Sequence, residues 1–123
     1  NAESVRDWGY AEEFIKIVVQ ASEIEVNDLF VIGTGHQMSV IDFLKTIFKN
    51  LKIEVEIRTG KNNLIYIIDT NSNKVIAEEM GVNKIDVQRK FKADINEIKN
   101  FGLEPPKIKG ESLINLLIDD AKK

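Results

Sequence analysis

Cysteine is absent from this sequence, and its 123 residues include one histidine, one tryptophan and two prolines. Without thiols the chain has no disulfide framework, no thiolate nucleophile and no cysteine-ligated metal centre. A single imidazole, His36, leaves a catalytic zinc site dependent on carboxylates, an unusual donor set for that ion. No apolar run approaches the roughly 20 residues that a membrane-spanning helix needs. The opening Asn1 to Asp7 lacks the basic start and apolar centre of a secretory signal, so the setting expected is cytoplasmic. Neither sign of charge dominates. Seventeen basic and 20 acidic residues leave a formal net charge of -3, which weighs against general affinity for nucleic acid or an anionic membrane. The densest basic stretch, Lys84, Arg89, Lys90 and Lys92 around Phe91, is interrupted by Asp86 and followed by Asp94. It reads as a mixed solvated surface, and neither nucleic acid nor membrane is expected as a partner.

What is present suits one folded α+β domain: 43% hydrophobic and 30% charged residues. Phe14, Ile17, Val18 and Ala21 recur at helical spacing and predict a helix from near Ala11, with Glu12 and Glu13 placed well for the helix dipole. Asn27-Asp28 reads as a turn, Leu29 to Ile32 as a short apolar strand, and Gly33-Thr34-Gly35 as a flexible link. Ser39 followed by Asp42 is an acidic form of the capping box and opens a second helix, with Ile41, Leu44, Ile47, Phe48 and Leu51 as its stripe. Ile53, Val55 and Ile57 then alternate with charged residues. Together with Leu64 to Ile68 and Val75 to Ala77 they predict a small antiparallel meander. Glu78 to Gln88 has no clear pattern. Asp94 and Glu97 open a short helix that Gly102 ends, and Pro105-Pro106 forbids its continuation. A last helix is expected from about Glu111 to Ala121, its apolar face carried by Leu113, Leu116 and Leu117. Three or four helices and a short antiparallel meander are therefore expected.

Few residues assemble into recognisable chemistry. Gly33-Thr34-Gly35-His36 invites a phosphate-loop reading, but it lacks the lysine and spacing of a P-loop and the glycines of a dinucleotide fingerprint. His36 as a hydrogen-bonded loop residue competes with a direct ligand role. Ser39 is explained as a cap, and no serine sits in a nucleophile elbow. Neighbouring carboxylates (Glu12-Glu13, Glu78-Glu79, Asp119-Asp120) point apart and make no acid/base pair. Asp69 to Asn73 lacks the glycine and terminal glutamate of a calcium loop and reads as a hairpin turn. The most unusual group is Arg6-Asp7-Trp8-Gly9-Tyr10. There the Arg6 fork suits a phosphate and the Trp8 or Tyr10 ring suits a planar ligand. The alternative makes Asp7 a bond to the backbone entering the helix and Trp8 a core residue.

Arg6-Asp7-Trp8-Gly9-Tyr10-Ala11 resembles the motif that opens the C-terminal lobe of extended short-chain dehydrogenases/reductases, nearest to the GDP-mannose 4,6-dehydratase family. The likeness continues through Val31-Ile32-Gly33-Thr34-Gly35, through Ser39-Val40-Ile41-Asp42-Phe43, and through Ala93 to Pro105. Departures are also visible. Ile41 stands where the family has arginine, and around Asn83 to Val87 only Asp86 and Val87 match an Arg-Pro-x-Glu-Val pattern. The resemblance implies a substrate-binding lobe covering residues 1–123 of a longer, NAD- or NADP-dependent nucleotide-sugar dehydratase. It implies Arg6 and Asp86 as substrate-binding residues and an N-terminal Rossmann lobe as partner. No catalytic, cofactor-binding or metal-ligating residue is placed in this stretch. The glycine-rich cofactor motif is missing, and Tyr10 has Phe14 rather than lysine four residues on. On this reading the stretch is inactive alone and an oligomeric parent is compatible with it. A lobe of an epimerase or reductase, and a non-enzymatic protein-interaction module, are the competing readings.

Overall fold

The computed structural model describes residues 2–25, 28–81 and 92–123. It is a mixed α+β structure, with four helices among the described residues and two small sheets. In chain order the elements are β1 (Val5–Asp7), α1 (Ala11–Ser22), β2 (Gln37–Ser39), α2 (Val40–Asn50), β3 (Val55–Thr59), β4 (Leu64–Asp69), β5 (Lys74–Met80), α3 (Ile95–Asn100) and α4 (Gly110–Ala121). They group into two compact units, Asn1–Val5 with Ser39–Lys90 and Arg6–Met38 with Phe91–Lys123. β1 and β2 pair in a two-stranded sheet.

The first unit is built on the meander. β3, β4 and β5 form an antiparallel sheet in that order, with Ile57 opposite Ile67 and Ile67 opposite Ala77. Successive side chains of a strand face opposite ways. Ile65 and Ile67 therefore bury one face of β4 and Ile68 the other, as its central place permits. The register shifts between Ile67 and Ile68, leaving Ile76 of β5 as the extra residue of a bulge. Tight connections use asparagine in the left-handed region, Asn62 and Asn63 in one turn and Asn73 in the other. The second turn is also fixed by Asp69, whose carboxylate accepts from the Asn71 N–H at 2.9 Å and the Ser72 hydroxyl at 2.7 Å.

The sequence of α2 supplies part of its own start. Ser39 Oγ accepts from the Asp42 N–H at 3.1 Å and donates to the Asp42 carboxylate at 2.6 Å. The Val40 and Ile41 amides donate to the carbonyls of Ser4 and Ala2, which satisfies two more open donors of the first turn. Ala2 N–H in turn donates to the carbonyl of Met80. Residues 2–4 thereby tie the start of α2 to the end of β5.

The second unit has its core where Ile17 of α1 meets Ile98 of α3 and Leu103, with Ala21, Phe30, Ile32 and Phe101 packed around them. The rings of Phe30 and Phe101 lie 5.2 Å apart. Asp94 caps α3 by accepting from the Asn96 N–H, and Gly102 follows it at φ +74. α4 starts at Gly110, one residue before the expected Glu111, and buries Leu113 and Ile114. Leu117, expected on the apolar face, is exposed, and the buried anchor is Ile114.

Two further expectations are corrected. Val18 was assigned to the buried stripe of α1, yet it is 51% exposed; the inward line runs through Phe14, Ile17 and Ala21. Leu29 to Ile32, expected as a strand, joins no ladder among the described residues. Its alternation is nonetheless real. Phe30 and Ile32 face the core, while Leu29 and Val31 are 91% and 56% exposed. Pairing occurs instead between β1 and β2, whose three-residue strands are too short to show a period. β5 runs through Met80 and so gives structure to the first residues of the unpatterned stretch 78–88; residues 82–88 lie outside the described set.

Ile98→Ala is expected to cost about 2–5 kcal/mol, the range for emptying a fully buried aliphatic site. Val18→Ala is expected to change stability by less than about 0.5 kcal/mol, as exposed substitutions do. Urea unfolding of the two variants checks the contrast. Bonds from Ser72 and Asn71 hold the Asp69 carboxyl below its ordinary pKa. The contribution of this turn is therefore full above the usual carboxylate range and is lost as pH falls through the depressed value. In Ser72→Ala, NMR titration of Asp69 is expected to show its pKa moving back up.

Candidate functional site

Within the second unit, strand alternation in β1 turns Arg6 to the exposed side and Asp7 inward. The Asp7 carboxylate does not bond the helix entry. It reaches a turn 27 residues away. Oδ1 accepts from the Thr34 N–H at 2.8 Å and from the Thr34 hydroxyl at 2.6 Å, and Oδ2 accepts from the Gly35 N–H at 2.8 Å. Thr34 is 1% exposed. Its single hydroxyl proton is committed to Asp7, so the same oxygen serves as acceptor for the His36 N–H at 3.1 Å. Lys109 Nζ donates to the Thr34 carbonyl at 3.3 Å.

Two glycines allow this approach. Gly35 adopts φ +69, where a side chain is strained. A Cβ on Gly33 would stand 2.3 Å from the Ala93 Cβ and 3.1 Å from Asp7 Oδ2. Beside the turn lies a cleft of about 430 Å³ lined by Gly35, Ala93 and the start of α3.

These bonds decide the phosphate-loop question. The amides of Thr34 and Gly35 would have to point at a phosphate, but a carboxylate already occupies them and repels a second anion. The turn therefore does not suit the pyrophosphate of a dinucleotide, and His36 belongs to it as a hydrogen-bonded loop residue packed against Gly110. Trp8 is part core and part anchor: half-buried, it donates from Nε1 to the Met38 carbonyl at 2.9 Å. Tyr10 precedes α1 as its N-cap. Desolvation, then the Glu12 and Asp120 carboxylates, raise the pKa of its hydroxyl, so it is less ready to ionise than a free tyrosine.

Of the two residues expected to bind substrate, Arg6 lies on the exposed side of β1 and Asp86 lies outside the described residues. One structural contact escaped the sequence reading. Glu13 was assigned only to the dipole of α1, but its carboxylate accepts from the Lys107 N–H at 3.1 Å and the Ile108 N–H at 2.8 Å. It thereby fastens the segment entering α4 to α1. An acid in a first turn carries no sequence sign that it reaches a loop 94 residues away.

A family model for GDP-mannose 4,6 dehydratase matches residues 1–115. The chain belongs to the GDP-mannose 4,6-dehydratase family. Among curated relatives, a GDP-mannose 4,6-dehydratase of Yersinia enterocolitica is 34% identical over 56 residues, 46% of this chain and 15% of that protein. GDP-mannose 4,6 dehydratase 2 of Caenorhabditis elegans is 35% identical over 51 residues, 42% of this chain and 13% of that protein. A GDP-mannose 4,6-dehydratase of Vibrio cholerae is 36% identical over 56 residues, again 15% of its length. The matched stretch thus spans a small part of each curated relative. Membership links the chain to nucleotide-sugar dehydratases and epimerases at the level of the family. Among the described residues no helix is long and apolar enough to cross a membrane.

In this family member, Asp7→Asn places an amide group against the Gly35 or Thr34 donors. Hydrogen bonds to charged groups contribute about 1.5–3 kcal/mol each, so a loss of about 2–3 kcal/mol is expected in urea unfolding. Faster hydrogen exchange at Thr34 and Gly35 than at Ile98 should accompany it. Gly33→Ala is expected to destabilise through the Ala93 contact, and loss of the same protection checks it.

Proposed function

We propose that this chain is the substrate-side lobe of an NAD(P)-dependent nucleotide-sugar 4,6-dehydratase of the cytoplasm, inactive on its own. The observation that carries the reading is the outward face of α1. Ile15, Val18 and Val19 form an apolar stripe exposed on a helix whose other side already fills a core. Leu29 and Val31 add exposed apolar side chains from an extended segment with no ladder partner among the described residues. A face of this kind is what a second lobe covers. The family match supports the identity of that lobe as the dinucleotide-binding one.

In the assembled enzyme, the dinucleotide held by that lobe would supply hydride chemistry at C4 of the sugar, for a dehydration across C5–C6. The residues of this chain bind and orient. Arg6, exposed next to the half-buried anchor Asp7, is assigned to the diphosphate of the nucleotide, which its fork of donors suits, and Asp86 is assigned to the ribose or nucleotide. The Asp7-bound turn keeps β1, and with it Arg6, in a fixed position.

Conversion of GDP-mannose to its 4-keto-6-deoxy product is the test. The chain alone should give none, and the same chain joined to its dinucleotide-binding lobe should turn over. There Arg6→Ala is expected to raise KM about tenfold with kcat within about twofold, the cost of about 1.4 kcal/mol of ground-state binding. Turnover by the purified chain alone would overturn the lobe reading. Accumulation of a C4 epimer in place of the keto product would assign the lobe to an epimerase.

A further inference from the structure

The first unit carries a cleft that no step above uses. It is about 740 Å³ in volume and is lined by Lys45, Lys49 and Lys52, with Ile53, Glu54, Val55 and Thr70. Lys45 and Lys49 stand one turn apart on α2, where like charges oppose each other. Lys52 follows just beyond the helix. None of the three forms an ion pair with a carboxylate among the described residues. Nor are they needed to cap α2, because the carbonyls of Ile47, Phe48 and Lys49 already accept from the amides of Leu51, Ile53 and Lys52.

Lys52 is also held at φ +59. That region suits glycine or asparagine after a helix and costs a residue with a long side chain. The conformation brings a third ammonium to the cleft on a chain whose overall charge is negative.

The nearby acids outside the lining are turned to partners of their own. Asp69 is occupied by the Asn71 and Ser72 donors of its own turn, and Glu56 is paired with Arg58 at 2.6 Å. Asp42 is engaged by Ser39. Among the described residues Glu54 is the acid that shares the lining, and its carbonyl accepts from both the N–H and the hydroxyl of Thr70, which closes the wall. The cleft thus holds three positive charges against one negative.

We propose that this cleft is a binding site for an oligophosphate, a compact anion with two or more linked phosphates, gripped by Lys45, Lys49 and Lys52. Lysine serves here as a point charge that adapts to a flexible polyanion. Among the described residues no aromatic side chain lines the cleft, so recognition is confined to the phosphate chain. The residues belong to a different unit from Arg6 and Asp7, and the site stands whether or not the dehydratase reading does.

The test is an NMR titration of the whole chain with tripolyphosphate, GTP and sulfate at low and at 150 mM salt. Tripolyphosphate is expected to shift the amides of residues 45–54 and to bind at least tenfold more tightly than sulfate, weakening as salt rises. GTP should bind within about threefold of tripolyphosphate. Lys45→Gln with Lys49→Gln should weaken binding at least tenfold. Lys52→Asn keeps a residue at ease with the left-handed backbone, and should weaken binding about threefold or more while leaving the amide spectrum of the sheet unchanged. Three results each overturn the site: no shifts at residues 45–54, unchanged affinity in the lysine variants, or GTP binding more than tenfold better than tripolyphosphate.

Discussion

The Asp7 carboxylate, with three short bonds to the Thr34–Gly35 turn, is the contact on which the arrangement of the second unit depends. It joins the strand leading into α1 to the turn leading into β2 and adds a side-chain tie to the short β1–β2 pairing. A half-buried carboxylate in this position needs its donors, and the turn needs an acceptor for amides that no secondary structure satisfies. Each requirement meets the other. The consequences extend outward: the Thr34 hydroxyl is left as acceptor for His36, its carbonyl for Lys109, and Gly33 must lack a Cβ so that Ala93 can close on the turn. Arg6 inherits its place from the same contact. Its neighbour is fixed, and strand alternation sends its side chain the other way.

This also explains why a glycine-rich turn followed by histidine is not a phosphate loop. Exposed amides at such a turn attract anions, and here the anion is part of the chain. Sequence alone does not separate an internal carboxylate from an external phosphate. The two present the same charge to the same donors, and the choice depends on whether an aspartate far away in sequence folds against the turn.

Legibility follows the range of the interaction. Ser39 with Asp42 and Asp94 with Asn96 act within three residues, and both helix starts were readable from the chain. The meander was readable because alternation and asparagine-rich turns are local signals. Pairing of β1 with β2, the reach of Glu13 to Lys107 and Ile108, and the Asp7 turn span tens of residues and leave no local pattern. The fault at Val18 is of another kind. Helical spacing identifies an apolar stripe but does not say which of two apolar stripes faces the core. Of the expected site, Arg6 could be placed on an exposed strand face, whereas Asp86 falls outside the described residues.

α1 presents that ambiguity in its sharpest form. A helix on the surface of a self-sufficient domain is apolar on one side and polar on the other, and one that is apolar on both is a buried helix. Ile17 is enclosed by α3 and Leu103, while Ile15, Val18 and Val19 lie open, with Glu12 and Lys16 paired between the two sides. Small units bury a limited fraction of their surface, and some apolar exposure follows from size alone. Size does not, however, concentrate β-branched residues at positions 15, 18 and 19, one turn apart on a single face. Nor does it place Leu29 and Val31 outward on a backbone segment that joins no ladder among the described residues. Such residues gain little from solvent and favour extended or packed surroundings. Their arrangement is the pattern of an interior, and the family to which the chain belongs has curated members several times its matched length.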